Sequence, residues 1–288
     1  MAILQAFASD APFPVIVCQN ESQLGFAENF LQAATQATAP LIAFADQDDV
    51  WDPRKLQIAV EFFDQNPAAK VLIHGMLTVD EDLQPISDGY PAIPREGTDP
   101  DPWLIVPGIA MVFDAELLHD FDWRRRPPSR DLDSLDHLMD HDEWFYLLGH
   151  NARAVGFVRE PLVRYRQHGN NASGAPRRWS PRQNLARLAG GGFATQTNRT
   201  AVARSYQELA SRSQAEGTGA TAASVAYWTR YREFSELRDR IYAAPTRGSR
   251  ALRLLRLAFA GGYRSRSHML GARALVRDLR DLIVPRTR

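Results

Sequence analysis

Only one cysteine, Cys18, occurs in the 288 residues, so no internal disulfide can form and nothing points to an oxidising compartment. Long apolar runs are just as scarce. LIAFA at 41–45 falls far short of the roughly 18–20 residues that a membrane span needs. The opening MAILQAFASD lacks a basic start ahead of its apolar stretch, which predicts no secretory leader and a cytoplasmic chain. Lysine is nearly missing too. Of the 34 basic residues two are lysine, Lys55 and Lys70, and 32 are arginine. That skew, with abundant alanine, fits a GC-rich genome and says little about function. What is present is ordinary: 44% apolar and 24% charged is enough for one large domain or two modest ones, and excludes collagen-like and wholly disordered chains.

The neutral total hides an asymmetry. Residues 247–288 hold eleven Arg and two Asp, a local charge of +9, so residues 1–246 carry −9. A basic tail on an acidic body points to an anionic surface as the tail's partner.

Residues 1–113 alternate short apolar runs with helical patterns, which predicts α/β architecture. PVIVC (14–18), LIAFA (41–45), KVLIHGMLTV (70–79) and the Pro107-Gly108-interrupted run at 103–113 read as strands. Residues 24–37 read as an amphipathic helix. A second helix should open at Asp52-Pro53, with Asp as N-cap, and run to about Gln65. Residues 90–102 read as a loop. Leu135, Leu138, Met139, Phe145 and Tyr146 repeat at helical spacing over 131–149, with Asp142 on the same stripe. A carboxylate there is costly to bury and normally has a partner or a task. AVGFV (154–158) reads as a further strand. From about 176 the pattern is helical, broken by glycine joints at 190–192, 217–219 and 261–262. The expected organisation is a catalytic-type unit over 1–175 and a helical extension over 176–288.

DQDD at 46–49 follows a buried strand, the place where open α/β sheets put their ligands. Asp46 and Asp48 flank one residue, so their carboxylates can converge on a hard divalent cation and the phosphates it shares. A solvated acidic turn is the plain alternative, and a bare D-x-D is weak. Its place at a strand end, with Trp51-Asp52-Pro53 following, favours the ligand-binding reading.

The string AFADQDDVWDPRKL (43–56) resembles the metal- and nucleotide-binding segment of family 2 glycosyltransferases, which have the GT-A fold. The likeness is strongest to the rhamnosyltransferase-like enzymes of bacterial polysaccharide synthesis. GFAENFLQAA (25–34), GIAMVF (108–113), HDEWFYLLG (141–149) and RYRQHGNN (164–171) match further segments in the same order. The resemblance implies that Asp46 lies beside the donor's ribose and diphosphate, that Asp48 holds Mg2+ or Mn2+, and that Asp49 is an auxiliary contact. It implies that His168 completes the metal site or touches the diphosphate, or is simply a loop histidine capping carbonyls. Asp142 would be the general base, with His141 where Glu is usual and Glu143 as the fallback. Arg164 or Arg166 could instead neutralise Asp142 and make it structural. Trp144 reads as core or as a sugar platform, and Gly108 as close backbone access to a sugar or as relief of a strand bend.

The implied reaction moves a sugar, with inversion, from a nucleotide-diphosphate donor to a cell-surface glycan or lipid-linked acceptor. One departure stands out. The family's two leading strands have no counterpart, because the chain starts at what looks like the helix after the second, and an uncovered sheet edge at PVIVC is expected to invite pairing. A non-catalytic remnant that binds glycan or a partner protein is the alternative. A metal-dependent phosphohydrolase would explain DQDD but leave HDEWF and RYRQHGNN without roles. Residues 247–288 space Leu252, Leu255 and Phe259 on one helical face and Arg250, Arg253 and Arg256 largely off it. This predicts peripheral contact at the inner face of the plasma membrane rather than nucleic-acid binding, unless the stripe merely packs on the body.

Overall fold

The computed structural model describes residues 1–91, 93–95, 98–130, 135–168, 193–264 and 269–283. The expected boundary near 176 and the glycine joint at 190–192 lie outside the described residues.

Helix α1 (Ala2–Asp10) buries none of its residues, and Ile3, Leu4 and Phe7 are exposed. Helix α2 (Phe26–Ala34) buries Ala27, Leu31 and Ala34, which are spaced four and three apart as one helical face requires. Strands β1 (Leu41–Ala43) and β2 (Val50–Trp51) bracket the acidic loop. Helix α3 (Lys55–Gln65), β3 (Val71–Val79) and β4 (Pro85–Tyr90) follow, then β5 (Met111–Asp114) and the short α4 (Glu116–His119). Helix α5 (His141–Asn151) leads into the long β6 (Val155–Arg166). Among the described residues four more helices follow: α6 (Phe193–Glu216), α7 (Ala222–Tyr242), α8 (Arg247–Phe259) and α9 (Gly271–Ile283).

The strands form one mixed sheet in the order β1-β5-β3-β6-β2, with β4 pairing the far end of β3, beyond the residues that pair β5. Among the described residues only β3 and β6 run parallel. Their ladder slips between His74↔Val158 and Gly75↔Pro161. Proline cannot donate to a ladder, so β6 bulges over 159–160 and its far half is re-aimed toward β2. The α/β class with a helical extension is therefore as the sequence indicates.

Several boundaries differ from expectation. PVIVC forms no strand among the described residues, and Ile16 is 69% exposed. The sheet edge lies at β1, which pairs only β5. Asp52 does not cap a helix beginning at Pro53. Its Oδ1 accepts from Arg54 N at 2.8 Å in a turn, and the helix begins at Lys55. In the 103–113 run Ala110 N bonds back to Pro107 O, closing a 3-10 turn, so pairing starts only at Met111. Among the described residues of 131–149, helix begins at His141. Ser129 N donates to His137 O and Met139 N to Pro127 O, so those backbone groups are already taken by a hairpin-like crossing.

The helical extension shares one continuous core with the sheet body. Trp103 meets the rings of Tyr206, Trp228 and Tyr231, and Trp228 Nε1 donates to Asn151 Oδ1 at 2.8 Å. A buried ion pair locks α9 to α7. Arg238 Nη2 lies 2.7 Å from Asp278 Oδ1, and the hydroxyls of Tyr242 and Tyr263 each donate to Asp278 at 2.6 Å.

Candidate functional site

The acidic loop leaves the buried end of β1 and is held against the end of β6. Val50 and Trp51 pair with Arg164 and Val163, which sets Asp48 and Asp49 beside residues 166–168. Asp49 Oδ1 accepts from Arg166 N at 2.7 Å, while its Oδ2 is buried with no hydrogen-bond partner. Burial lifts the Asp49 carboxyl to about 6, reinforced by Asp48 and Asp46 and opposed by the Arg166 amide. Asp46 is raised by the same causes, burial first and Asp48 second, with Lys55 pulling the other way.

Asp48 and His168, 120 residues apart in sequence, meet at 2.8 Å between Oδ2 and Nε2. The contact is a hydrogen bond; two ligands of one octahedral magnesium bound at 2.0–2.1 Å would also stand about 2.9 Å apart. Among the described residues no group of three His, Cys, Asp or Glu is placed to hold a metal. A cation here would have two protein ligands and draw the others from substrate phosphate and water, the usual manner for magnesium.

Beneath the loop lies a residue that motif reading did not single out. Lys55 is fully buried, its Nζ donates to Ile109 O at 2.8 Å, and it sits 3.7 Å over the Trp51 ring. Burial drags its ammonium down to about 7 despite the pull of Asp49 and Asp46. The nearby His74, buried and again lowered by desolvation and then by Lys55, falls to about 4 and is neutral. No local pattern marks Lys55, because only the fold brings it to the Ile109 carbonyl, 54 residues further along the chain.

The second acidic cluster sits at the start of α5. His141 is 3% exposed, stacked on Phe30 at 4.4 Å and edge-on to Phe44 at 4.7 Å between ring centroids. Burial drives it down to about 3, so the ring is neutral, and Nδ1 has no hydrogen-bond partner. It therefore serves as an aromatic wedge where the resemblance leads one to expect a carboxylate. Gly108 lies against it. A Cβ at 108 would come within 2.5 Å of His141 Nε2, so the glycine's missing side chain makes room for this ring.

Asp142 is partly buried, and Glu143 N donates to its Oδ1 at 2.7 Å. Desolvation raises it to about 7; Asp140 and Glu143 add to the rise, and the Glu143 amide and Arg130 oppose it. Neither Arg164 nor Arg166 pairs with it. Glu143 is otherwise committed: it accepts from Ser129 Oγ at 2.9 Å and Arg130 N at 3.0 Å, and Arg130 Nε stands 2.8 Å away. Tyr206 Oη adds a fourth contact from α6 at 3.3 Å. A carboxylate held this way is a structural bracket, not a spare base. Trp144, 1% exposed, is core. The two acidic clusters are joined through rings, because Phe44, two residues before Asp46, touches His141, one residue before Asp142.

Set beside known proteins, residues 1–92 match the model of glycosyl transferase family 2. No curated protein matches the chain. Among solved structures, S. aureus TarS 1–349 in complex with UDP-GlcNAc is 16% identical over 96% of this chain and 77% of that one, with a TM-score of 0.45. The same protein in complex with UDP gives 0.43 at equal identity and coverage. The stretch that sequence comparison ties to glycosyl transferase family 2 is thus the one that carries Asp46, Asp48, Asp49 and Lys55.

Proposed function

We propose that this chain is an inverting, cation-dependent glycosyltransferase of the GT-A kind that takes a nucleotide-diphosphate sugar. Its acceptor is a cell-surface glycan or lipid-linked saccharide of the bacterial polysaccharide type, presented at the inner face of the membrane. The observation that carries the reading is the Asp48–His168 pair at 2.8 Å, formed at the end of a buried strand inside the family-matched stretch.

The chemistry divides between the two clusters. Asp46 lies beside the donor's ribose and diphosphate, and Asp49, anchored on the Arg166 amide, keeps the loop in register. Lys55 balances their charge from below and fixes Trp51 and the Ile109 carbonyl. Magnesium or manganese held by Asp48 and His168 would neutralise charge on the departing diphosphate. Asp142 accepts the proton of the acceptor hydroxyl as that oxygen bonds to the anomeric carbon and the bond from carbon to the diphosphate oxygen breaks. An ionisation near 7 suits a base that works at neutral pH. The neutral His141 adds no charge that would pull Asp142 back toward the ordinary carboxylate range.

Calorimetry with a panel of nucleoside diphosphates, with manganese and then with chelator, tests this. Binding should require the metal and vanish in Asp48→Ala. Equal binding in chelator would overturn the cation, and failure of every nucleotide to bind would overturn the transferase reading.

A further inference from the structure

Helix α8 has two apolar stripes, and the fold uses only one. Leu254 and Leu257, at 3% and 1% exposure, pack inward. Leu252, Leu255 and Phe259, spaced three and four apart, are 51%, 51% and 87% exposed. A helix that only had to pack on a body would need a single stripe. Helix α9 repeats the arrangement, with Ala274 and Asp278 turned in and Val276 and Leu279 left 51% and 43% exposed.

The charged residues around the α8 stripe are of one sign. Helix α8 holds four arginines and no acid. Two of them are occupied in holding the helix: Arg250 Nε donates to Ala244 O at 3.0 Å, and Arg253 donates to Arg240 O. Arg247 and Arg256 are exposed, as is Arg273 on α9.

We propose that α8 and α9 form a docking face for an anionic lipid surface. Leu252, Leu255 and Phe259 enter the headgroup layer while Arg247, Arg256 and Arg273 meet the phosphates. Protruding apolar side chains rimmed by guanidinium groups match a surface that is negative outside and oily beneath. A phosphate backbone offers no apolar layer to take up Leu252 and Leu255, each 51% exposed beside Phe259. The charge split adds orientation: the −9 of residues 1–246 is repelled by the surface that attracts the +9 of residues 247–288, so the tail faces the lipid. This inference stands apart from the transferase reading.

Deleting 247–288 cannot test it, because the deletion strips Asp278 from Arg238 and uncovers the core. Point variants on exposed positions can. Full-length protein is sedimented with vesicles of phosphatidylglycerol in phosphatidylcholine and with phosphatidylcholine alone, at low and high salt. Wild type should pellet with the anionic vesicles only and be released by salt. Leu252→Ser/Leu255→Ser/Phe259→Ser, with an unchanged thermal melt, should stay in the supernatant. Arg247→Gln/Arg256→Gln/Arg273→Gln should lose about five-fold per charge, some two orders of magnitude in all. Equal pelleting with neutral vesicles, or a serine variant that pellets like wild type, overturns the proposal. So does a wild-type dimer in sedimentation velocity that the serine variant abolishes without any vesicle binding, since the face would then join two copies.

Discussion

Replacing Asp142 with Asn should silence transfer and, at the same time, make the protein more stable above neutral pH. Burial raises this carboxyl from 3.8 to about 7, a gap of about three pH units that is worth about 4 kcal/mol against the ionised form. The site is only partly buried, so screening by water leaves about 2–4 kcal/mol. The direction follows from proton uptake. Near pH 3 both folded and unfolded chains hold the proton and the penalty is nil. Between about 4 and 7 the folded chain holds a proton that the unfolded chain has released, so stability falls as pH rises, then levels off. Asn keeps the Glu143 amide bond through its Oδ1 and never ionises. Urea unfolding of both proteins at pH 5 and pH 8 measures the difference: the variant's advantage should be larger at pH 8. Turnover should drop about 10²–10⁴-fold, while wild-type kcat/KM rises with pH through about 7. A variant less stable than wild type by the same amount at both pH values would refute the reasoning and make Asp142 a structural group.

Three more outcomes follow from the packing. Gly108→Ala should lower unfolding free energy by about 1–3 kcal/mol, because its Cβ would sit 2.5 Å from a caged ring; chemical denaturation reads this directly, and a neutral result would mean that His141 can move. Glu143→Gln should destabilise the fold by about 1–3 kcal/mol through Arg130, Ser129 and Tyr206, shifting the urea midpoint, with nucleotide affinity unchanged in calorimetry. Asp278→Asn should cost about 3–5 kcal/mol by leaving Arg238 buried and uncompensated, whereas replacing both partners with apolar residues should recover most of the loss in the same denaturation assay.

The sequence reveals chemistry here more readily than geometry. DQDD and its following tryptophan mark the loop, and β1, β3 and the first part of β6 stand where apolar runs place them, although β6 continues to Arg166, well past the expected 158. Their order could not be read, since register is settled by pairing across 80 or so residues, as in Val71↔Val155. PVIVC has strand composition but no ladder partner, and composition alone does not make a strand. Leu135 and Leu138 mimic a helix stripe, yet the backbone of His137 and Met139 is spent on residues 127–129. The motif alone leaves His168 more than one role, because a loop histidine has many partners within reach; the fold brings it to Asp48. The Glu143 bracket needed Tyr206 from α6, a contact spanning 63 residues that no local pattern announces.

The parallel pairing of β3 with β6 also sets a clock on the ribosome. Strand β3 ends at Val79 and its partner begins at Val155, so 76 residues separate the end of one from the start of the other. At 5–20 residues per second, synthesis needs about 4–15 s to supply the partner. During that interval the edge of VLIHGMLTV that β6 will take, in the most buried strand of the finished sheet, stays unpaired, while β4 and β5 can pair only with the other side. Nascent chains of this length are therefore the natural clients of holding chaperones, and slower translation between codons 80 and 155 should cut soluble yield more than slowing anywhere after β6 is made.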